Sequence, residues 1–525
     1  MSAELHRAAQ AALGRRDFAM ARQSAEQILR DRPSDAGANQ ILGLVALEQG
    51  DISAALAHLQ RADKAAPGQP HILNALGVAL RRSGALAEAR RAFTRAGERG
   101  LIDGWRNLGN LEANAGNALA TAKAYERALT LNSGDVRSHA GAAQAYELLH
   151  QLDRAREHAN KAIALDPAND VASLTLAAIA LREGKLAEAE NTAAAVIGRS
   201  RSATNQALAW GLIGDARDKS GDAAEAFEAF RNANLILLQL YGAHLRETQM
   251  PYHPDGVARM TDFARGADVS GWNAPQSEST PVFLVGFPRS GTTLFEQVLS
   301  AHSQLVCIEE REHLAQAAQD FVSDPTRLDP LTDEQIEAIR TSYWARVRAE
   351  TNVGKRIVVD KLPLNIIFLP LIRRVFPDAK ILLALRDPRD VVLSCFQQRF
   401  GMNAAMVQFL QLETAAAYYD KVMSLGLLCR ERLGLAMHEV RYEDVVADLE
   451  SVVRGVTAFL DLPFEAAMLS PNETALKRNI NTPSVRQVVQ PIYTRSVARW
   501  KKYETQLAPV LPTLNAWVSR LGYDI

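Results

Sequence analysis

GFPRSGTT, residues 286–293, follows the apolar run PVFLV (residues 281–285) and leads into the helical pattern TTLFEQVLSAH. Its spacing is G-x-x-x-x-G-T-T, against the nucleotide phosphate loop G-x-x-x-x-G-K-[ST]. Gly286 and Gly291 allow close approach of the backbone to an anion. The amides of residues 290–293 stand at a helix N-terminus, where phosphate is favoured. Thr292 replaces the lysine, Thr293 keeps the final hydroxyl, and Arg289 offers positive charge from another position. An apolar strand, a glycine loop and a helix in this order are one unit of a parallel α/β sheet.

The same alternation continues outward. Apolar runs at 281–287, 304–308, 356–360, 380–385 and 436–440 are separated by amphipathic helical segments. This pattern predicts a parallel sheet covered on both faces, with ligands outside the carboxyl ends of its strands. The polar residues are phased to those ends. Arg289 and Ser290 follow the first run, Glu309 and Glu310 the second, Lys361 the third, Arg386 and Arg389 the fourth, and Tyr442 the fifth. In LRDPRDVVLS, Pro388 suits a first helical turn, and Ser394 comes eight residues after Arg386. Both fit one second phosphate. Alternatively, Asp387 and Asp390 pair with these arginines on a solvated surface. Asp360 ends its run but is followed directly by Lys361, so no metal-holding acidic strand end is indicated.

Upstream, the chain repeats. A small-or-polar turn followed by an apolar residue recurs with its third position at Arg16, Gly50, Gly84, Gly116, His150, Gly184 and Gly221, at spacings of 34, 34, 32, 34, 34 and 37 residues. Each turn lies between two alanine- and leucine-rich helical segments. A period of 34 residues built as helix–turn–helix resembles the tetratricopeptide repeat, with Leu42-Gly43, Leu76-Gly77, Leu108-Gly109 and Ile213-Gly214 at its small-residue pair. The resemblance implies six to seven stacked hairpins over residues 1–240, in a superhelix whose groove holds a peptide or protein; the plainer reading is a scaffold. Residues 241–280 read as a packed helical linker, and 281–525 as the α/β domain.

The 525 residues exceed one ordinary core. Charge is balanced, 59 Lys+Arg against 60 Asp+Glu, which argues against nucleic acid or an anionic membrane as partner. Cys307, Cys395 and Cys429 are isolated, so no disulfide framework or zinc site is expected. No secretory signal or membrane-spanning run is evident, and a reducing cytoplasm is the expected setting.

The second half resembles sulfotransferases that use 3′-phosphoadenosine 5′-phosphosulfate. Pro288 to Thr293 match their strand–loop–helix for the 5′-phosphosulfate, and Arg386 with Ser394 their 3′-phosphate site. Within that family, RSGTTLFEQVLSAHSQLVCIEER has the layout of the protein-tyrosine sulfotransferases. The resemblance implies a role for each candidate residue. Glu310 is the general base, with Glu309 its rival, and Lys361 and Arg289 stabilise charge on the leaving nucleotide. Ser290, Gly291, Thr292 and Thr293 hold the 5′ end. Tyr442, Ser484 and Arg499 complete the donor site, without a metal. Repeats ahead of this domain resemble bacterial proteins that join the two. The expected fold class is α plus α/β, a tetratricopeptide solenoid followed by a P-loop-like sulfotransferase domain. The expected reaction is sulfuryl transfer to a hydroxyl, on a protein or peptide recruited by the repeats, tyrosine included. Glycan, lipid and small-molecule acceptors remain alternatives, a homodimer is left open, and Thr292 speaks against a kinase or nucleotide triphosphatase.

Overall fold

The structure is a computed structural model that describes residues 2–272, 274, 275, 277, 279–470 and 496–524. It divides into two compact units, Met1–Ser200 and Arg201–Ile525. Among the described residues, no helix is long and apolar enough to cross a membrane.

The first unit is twelve helices, from Ser2–Gly14 to Leu186–Arg199, in six hairpins. Aspartate or asparagine side chains accept N-terminal amides at several helix starts, as Asp35 does from Ala38 and Asn169 from Ala172. The tight turns inside the hairpins need a left-handed residue, and each predicted turn position has one. Gly50, Gly84, Gly116 and Gly184 take φ of 80°, 83°, 74° and 78°, while Arg16 and His150 take 60° and 59° without being glycine. In three of the hairpins a glycine faces a large side chain sixteen residues on. A Cβ added to Gly43 would lie 2.5 Å from Leu59, one on Gly77 2.6 Å from Phe93, and one on Gly109 2.9 Å from Tyr125. Wholly buried alanines, such as Ala55, Ala89 and Ala155, fill the rest of the seams.

The second unit begins with a seventh hairpin, Ala203–Ser220 and Ala223–Tyr241, which carries the last repeat turn at Gly221 (φ 92°). This hairpin packs on the residues C-terminal to it. Ala226 and Phe230 sit in the main core of the second unit. Asn234 donates to the Phe396 carbonyl at 2.9 Å, and Phe227 stacks on Phe396. The repeat period therefore runs past the division between the units. Helix Pro254–Gly266, in the segment read as a linker, buries Val257, Met260 and Ala264 in the same core.

Five strands, β1 (Val282–Gly286), β2 (Leu305–Glu309), β3 (Ile357–Lys361), β4 (Lys380–Leu385) and β5 (Ala436–Arg441), form one parallel sheet in the order β2-β3-β1-β4-β5. Side chains alternate between two apolar layers. Phe283, Val285, Val358, Ile381 and Leu383 face the larger core. Val282, Leu284, Cys307, Val359 and Leu382 face helices Thr292–Ser300 and Leu449–Phe459. Burial on both faces explains why the strands read as continuous apolar runs. The chain leaves β1 toward β2 on one side and reaches β4 on the other, so the β1 loop opens at the switch point.

Candidate active site

The loop after β1 is built around two glycines with no room for a side chain. A Cβ on Gly286 would lie 2.6 Å from the Ala384 carbonyl oxygen of β4. One on Gly291 would lie 2.6 Å from the Tyr442 ring, and Gly291 also has φ 91°. Between them Arg289 is held at φ 71°, a strained conformation for a residue with a side chain. The Ser290 amide closes the loop by donating to the Phe287 carbonyl at 3.2 Å. The Ser290 amide is thus engaged within the loop, and the first-turn amides from Thr292 stand at a helix N-terminus, where an anion is favoured. Ser290, Thr292 and Thr293 are buried beside them.

Arg289 turns toward the second loop. Its Nε donates to the Ser394 hydroxyl at 3.0 Å. Arg386, after β4, donates through Nη1 to the Arg289 carbonyl at 3.1 Å and through Nη2 to the Ser496 carbonyl at 2.6 Å. Its guanidinium lies 4.8 Å from the centre of the Tyr442 ring. Arg386 Nε is buried with no hydrogen-bond partner among the described residues. A buried charged donor left unmade is costly, and an anionic oxygen would satisfy it. Arg289, Arg386, Ser394 and Tyr442 thus form one cluster beside the β1 loop.

The neighbouring arginine has a different fate. Arg389 is locked to Asp387 by two hydrogen bonds of 3.0 and 2.7 Å and lies 3.9 Å over the Trp500 ring. Asp390 stands 3.8 Å from Arg386 and accepts the Trp500 amide at 2.7 Å. Burial pushes Asp390 up to about 6, against the opposing pull of Arg386 and that amide.

On the other side of β1, Lys361 ends β3 and is completely buried. Its Nζ lies 3.0 Å from Glu310 Oε1 and 3.3 Å from Glu296 Oε2. Burial, the largest influence, works against the ammonium charge, but Glu296, then Glu310 and Glu309, outweigh it and raise the lysine pKa. Glu310 follows β2 with φ 35°, and its amide donates to the Lys361 carbonyl at 2.8 Å. That turn aims the Glu310 carboxylate at Nζ. Glu309, one residue earlier, is the register partner of Lys361. Arg311 pairs with Glu350 at 3.3 Å. Asp360 points to the opposite face, where Tyr343 donates to it at 3.0 Å and burial pushes it up to about 7.

Ser484 and Arg499 are the two remaining expected residues. Ser484 is outside the described residues. Arg499 is in an ion pair with Asp218 of the seventh hairpin at 2.8 Å; burial disfavours its charge, and Asp218 more than compensates. Glu296 and Asp218 escaped the sequence reading. Glu296 sits in TTLFEQVLS, where only the fold reveals that the helix is buried on the glutamate side as well. A cavity of about 740 Å³ lined by Trp344, Arg348, Lys355 and Arg356 opens at the amino end of β3, away from Lys361.

Residues 281–466 match the model of a sulfotransferase family, and residues 6–70, 46–100 and 136–169 match tetratricopeptide-repeat models. An uncharacterized protein of Aquifex aeolicus is 26% identical over 410 residues, 73% of this chain and 51% of its own, so the match spans about half of that relative. A putative protein-tyrosine sulfotransferase of Caenorhabditis briggsae is 26% identical over 46% of this chain and 89% of its own length. Protein-tyrosine sulfotransferase 1 of Homo sapiens is 25% identical over 46% and 69%. Among solved structures, the sulfotransferase domain of a Synechococcus PCC 7002 olefin synthase aligns with TM-score 0.34 and 22% identity, over 49% of this chain and 100% of that one. A tetratricopeptide repeat protein of Parabacteroides merdae aligns with TM-score 0.36 and 18% identity, over 45% and 93%.

Proposed function

From a chain that joins tetratricopeptide repeats to a sulfotransferase domain, we propose an enzyme that moves a sulfuryl group from 3′-phosphoadenosine 5′-phosphosulfate to a hydroxyl on a protein or peptide. The observation that carries this reading is the pairing of two strand-end clusters across β1. Arg289, Ser394 and Arg386 lie on one side, Lys361 with Glu310 on the other.

The donor supplies an activated sulfuryl group and a nucleotide leaving group. The first-turn amides from Thr292, with the hydroxyls of Ser290, Thr292 and Thr293, bind its 5′-phosphate. Arg386 and Ser394 bind its 3′-phosphate, and the buried Arg386 Nε, which has no hydrogen-bond partner among the described residues, supports that assignment. Tyr442 props Gly291 and stacks under Arg386. Glu310 takes the acceptor proton, since a neutral hydroxyl is a poor nucleophile. Lys361 and Arg289 stabilise the charge that grows on the leaving oxygen. Arg499 acts on this site through the segment it anchors, because Asp218 holds its guanidinium. The repeats bring the acceptor, with tyrosine in a peptide the first to test; the cell compartment expected is the cytoplasm.

The test is transfer of radiolabelled sulfate from the donor into a cell extract, followed by mass spectrometry of the labelled species. Labelled protein is the expected result, and label confined to glycan or lipid would overturn the acceptor. Thermal protection by ATP–Mg²⁺ but not by 3′-phosphoadenosine 5′-phosphate would overturn the reaction.

A further inference from the structure

Lys361 has two carboxylate partners of different character. Glu310 lies at the end of β2 with 33% of its side chain open, and its oxygen is 3.0 Å from Nζ. Glu296 lies inside helix Thr292–Ser300, has no exposed surface, and is 3.3 Å from Nζ. Only the first is accessible to an acceptor. Resting on the sulfotransferase reading above, we propose that Glu296 is a positioning residue that keeps the Lys361 ammonium charged and in place while Glu310 is being neutralised by the acceptor proton.

During the step, the acceptor O–H bond breaks and its proton passes to Glu310. The acceptor oxygen bonds to sulfur, the bond from sulfur to the bridging oxygen breaks, and its electron pair stays on the 5′-phosphate of the nucleotide. Glu310 thus becomes neutral as negative charge appears on the leaving oxygen. Lys361 is needed as a cation at that moment, yet it is fully desolvated, and burial drives a lysine toward the neutral form. With Glu310 alone as counter-ion, the ammonium would lose its support when it is required. The groups facing Nζ are Glu296 from the helix after the phosphate loop, and Glu310 with Glu309 from the end of β2. Of these, Glu296 is the one sealed from solvent and from the acceptor. It rides on the helix whose first turn holds the phosphate loop, so it fixes the lysine relative to the donor site. The Cys307 thiol donates to the Glu296 carbonyl at 3.7 Å, tying this turn of helix to β2.

The experiment monitors Lys361 directly in the full chain. The protein is labelled with ¹³C at lysine Cε, the Lys361 signal is assigned by its loss in Lys361→Arg, and it is titrated in wild type, Glu296→Gln and Glu310→Gln. In Glu296→Gln, Lys361 should titrate at least about one pH unit lower. Its kcat should fall about tenfold with the alkaline limb of the pH profile displaced downward. The donor KM should move less than about threefold, and Glu296→Asp should recover most of kcat. In Glu310→Gln, transfer is lost but Lys361 stays charged through neutral pH. The proposal is overturned if Glu296→Gln leaves the titration unchanged. Loss of the Lys361 charge near neutrality in Glu310→Gln overturns it as well, and decides the matter if Glu296→Gln does not fold. The titration needs no turnover, so a wild type without sulfuryl transfer would refute the reaction and leave the lysine result standing by itself.

Discussion

Arg289 Nε donates to the Ser394 hydroxyl at 3.0 Å, joining the loop after β1 to the helix Pro388–Gln397 after β4, 105 residues apart. The bond orients an arginine whose backbone is already strained. Ser394→Ala removes both the proposed 3′-phosphate ligand and this orientation. We expect the donor KM to rise about tenfold, the equivalent of one good hydrogen bond to a charged group. The kcat should fall less, and steady-state transfer assays with varied donor check this. An equal loss in kcat at unchanged KM would show that Ser394 acts in the chemical step instead.

Glu310 and Glu309 are neighbours with different aims. Lys361 Nζ donates to the Glu310 carboxylate at 3.0 Å. Glu310→Ala should lower kcat by about 100-fold or more, the usual worth of a general base. Glu309→Ala should retain most activity. The reverse order of effects would transfer the base to Glu309.

The repeat turns provide a clean test of backbone strain. Gly84 has φ 83° and nothing within 4 Å of an added Cβ, so Gly84→Ala carries only the conformational cost. It should destabilise the protein by about 1 kcal/mol. His150, at φ 59° in the equivalent turn, already bears that cost. His150→Gly should gain up to about 1 kcal/mol, reduced by losing the exposed contact with Arg182. Thermal melts of both variants against wild type read the two signs, and a loss in His150→Gly would mean the contact outweighs the strain.

Asp360 gives a pH dependence of known sign. Burial raises its pKa from 3.8 to about 7, so between these values the folded protein keeps a proton that the unfolded chain has released. Its contribution is therefore complete at low pH and drains away as pH climbs toward 7, by at most about 1.4 kcal/mol per unit. Asp360→Asn removes this slope and keeps an oxygen for the Tyr343 hydroxyl. From pH 5 to pH 8 the variant should gain stability relative to wild type in urea melts. Parallel curves would mean that Asp360 is ionised throughout.

The strands were readable because both faces of a parallel sheet are apolar. The run 380–385 and strand Lys380–Leu385 coincide, and 304–308 differs from Leu305–Glu309 by one residue at each end. The repeat turns were readable because five of the seven carry the glycine that their backbone requires. Lys361 could be placed at a strand end, but its complete burial could not, since nothing local to DKLPLN shows that a glutamate on another helix will meet it. The same holds for Arg499. Its partner Asp218 lies 281 positions earlier, in a segment whose periodicity announces only another repeat. Long-range ion pairs leave no periodic trace in a chain.

The seventh hairpin has a practical corollary for dissecting the molecule. Asp218 accepts the Tyr503 hydroxyl at 2.6 Å as well as pairing with Arg499, and Asp215 pairs with Arg399 at 2.9 Å. These anchors belong to the machinery side of any cut. A fragment of residues 201–525 should express as a monodisperse, cooperatively melting protein. One trimmed to 241–525, where the repeat period stops, would bare the surface that Phe227, Phe230 and Asn234 cover, and should aggregate in size-exclusion chromatography. What looks by periodicity like the last bead of the array is the first brick of its neighbour.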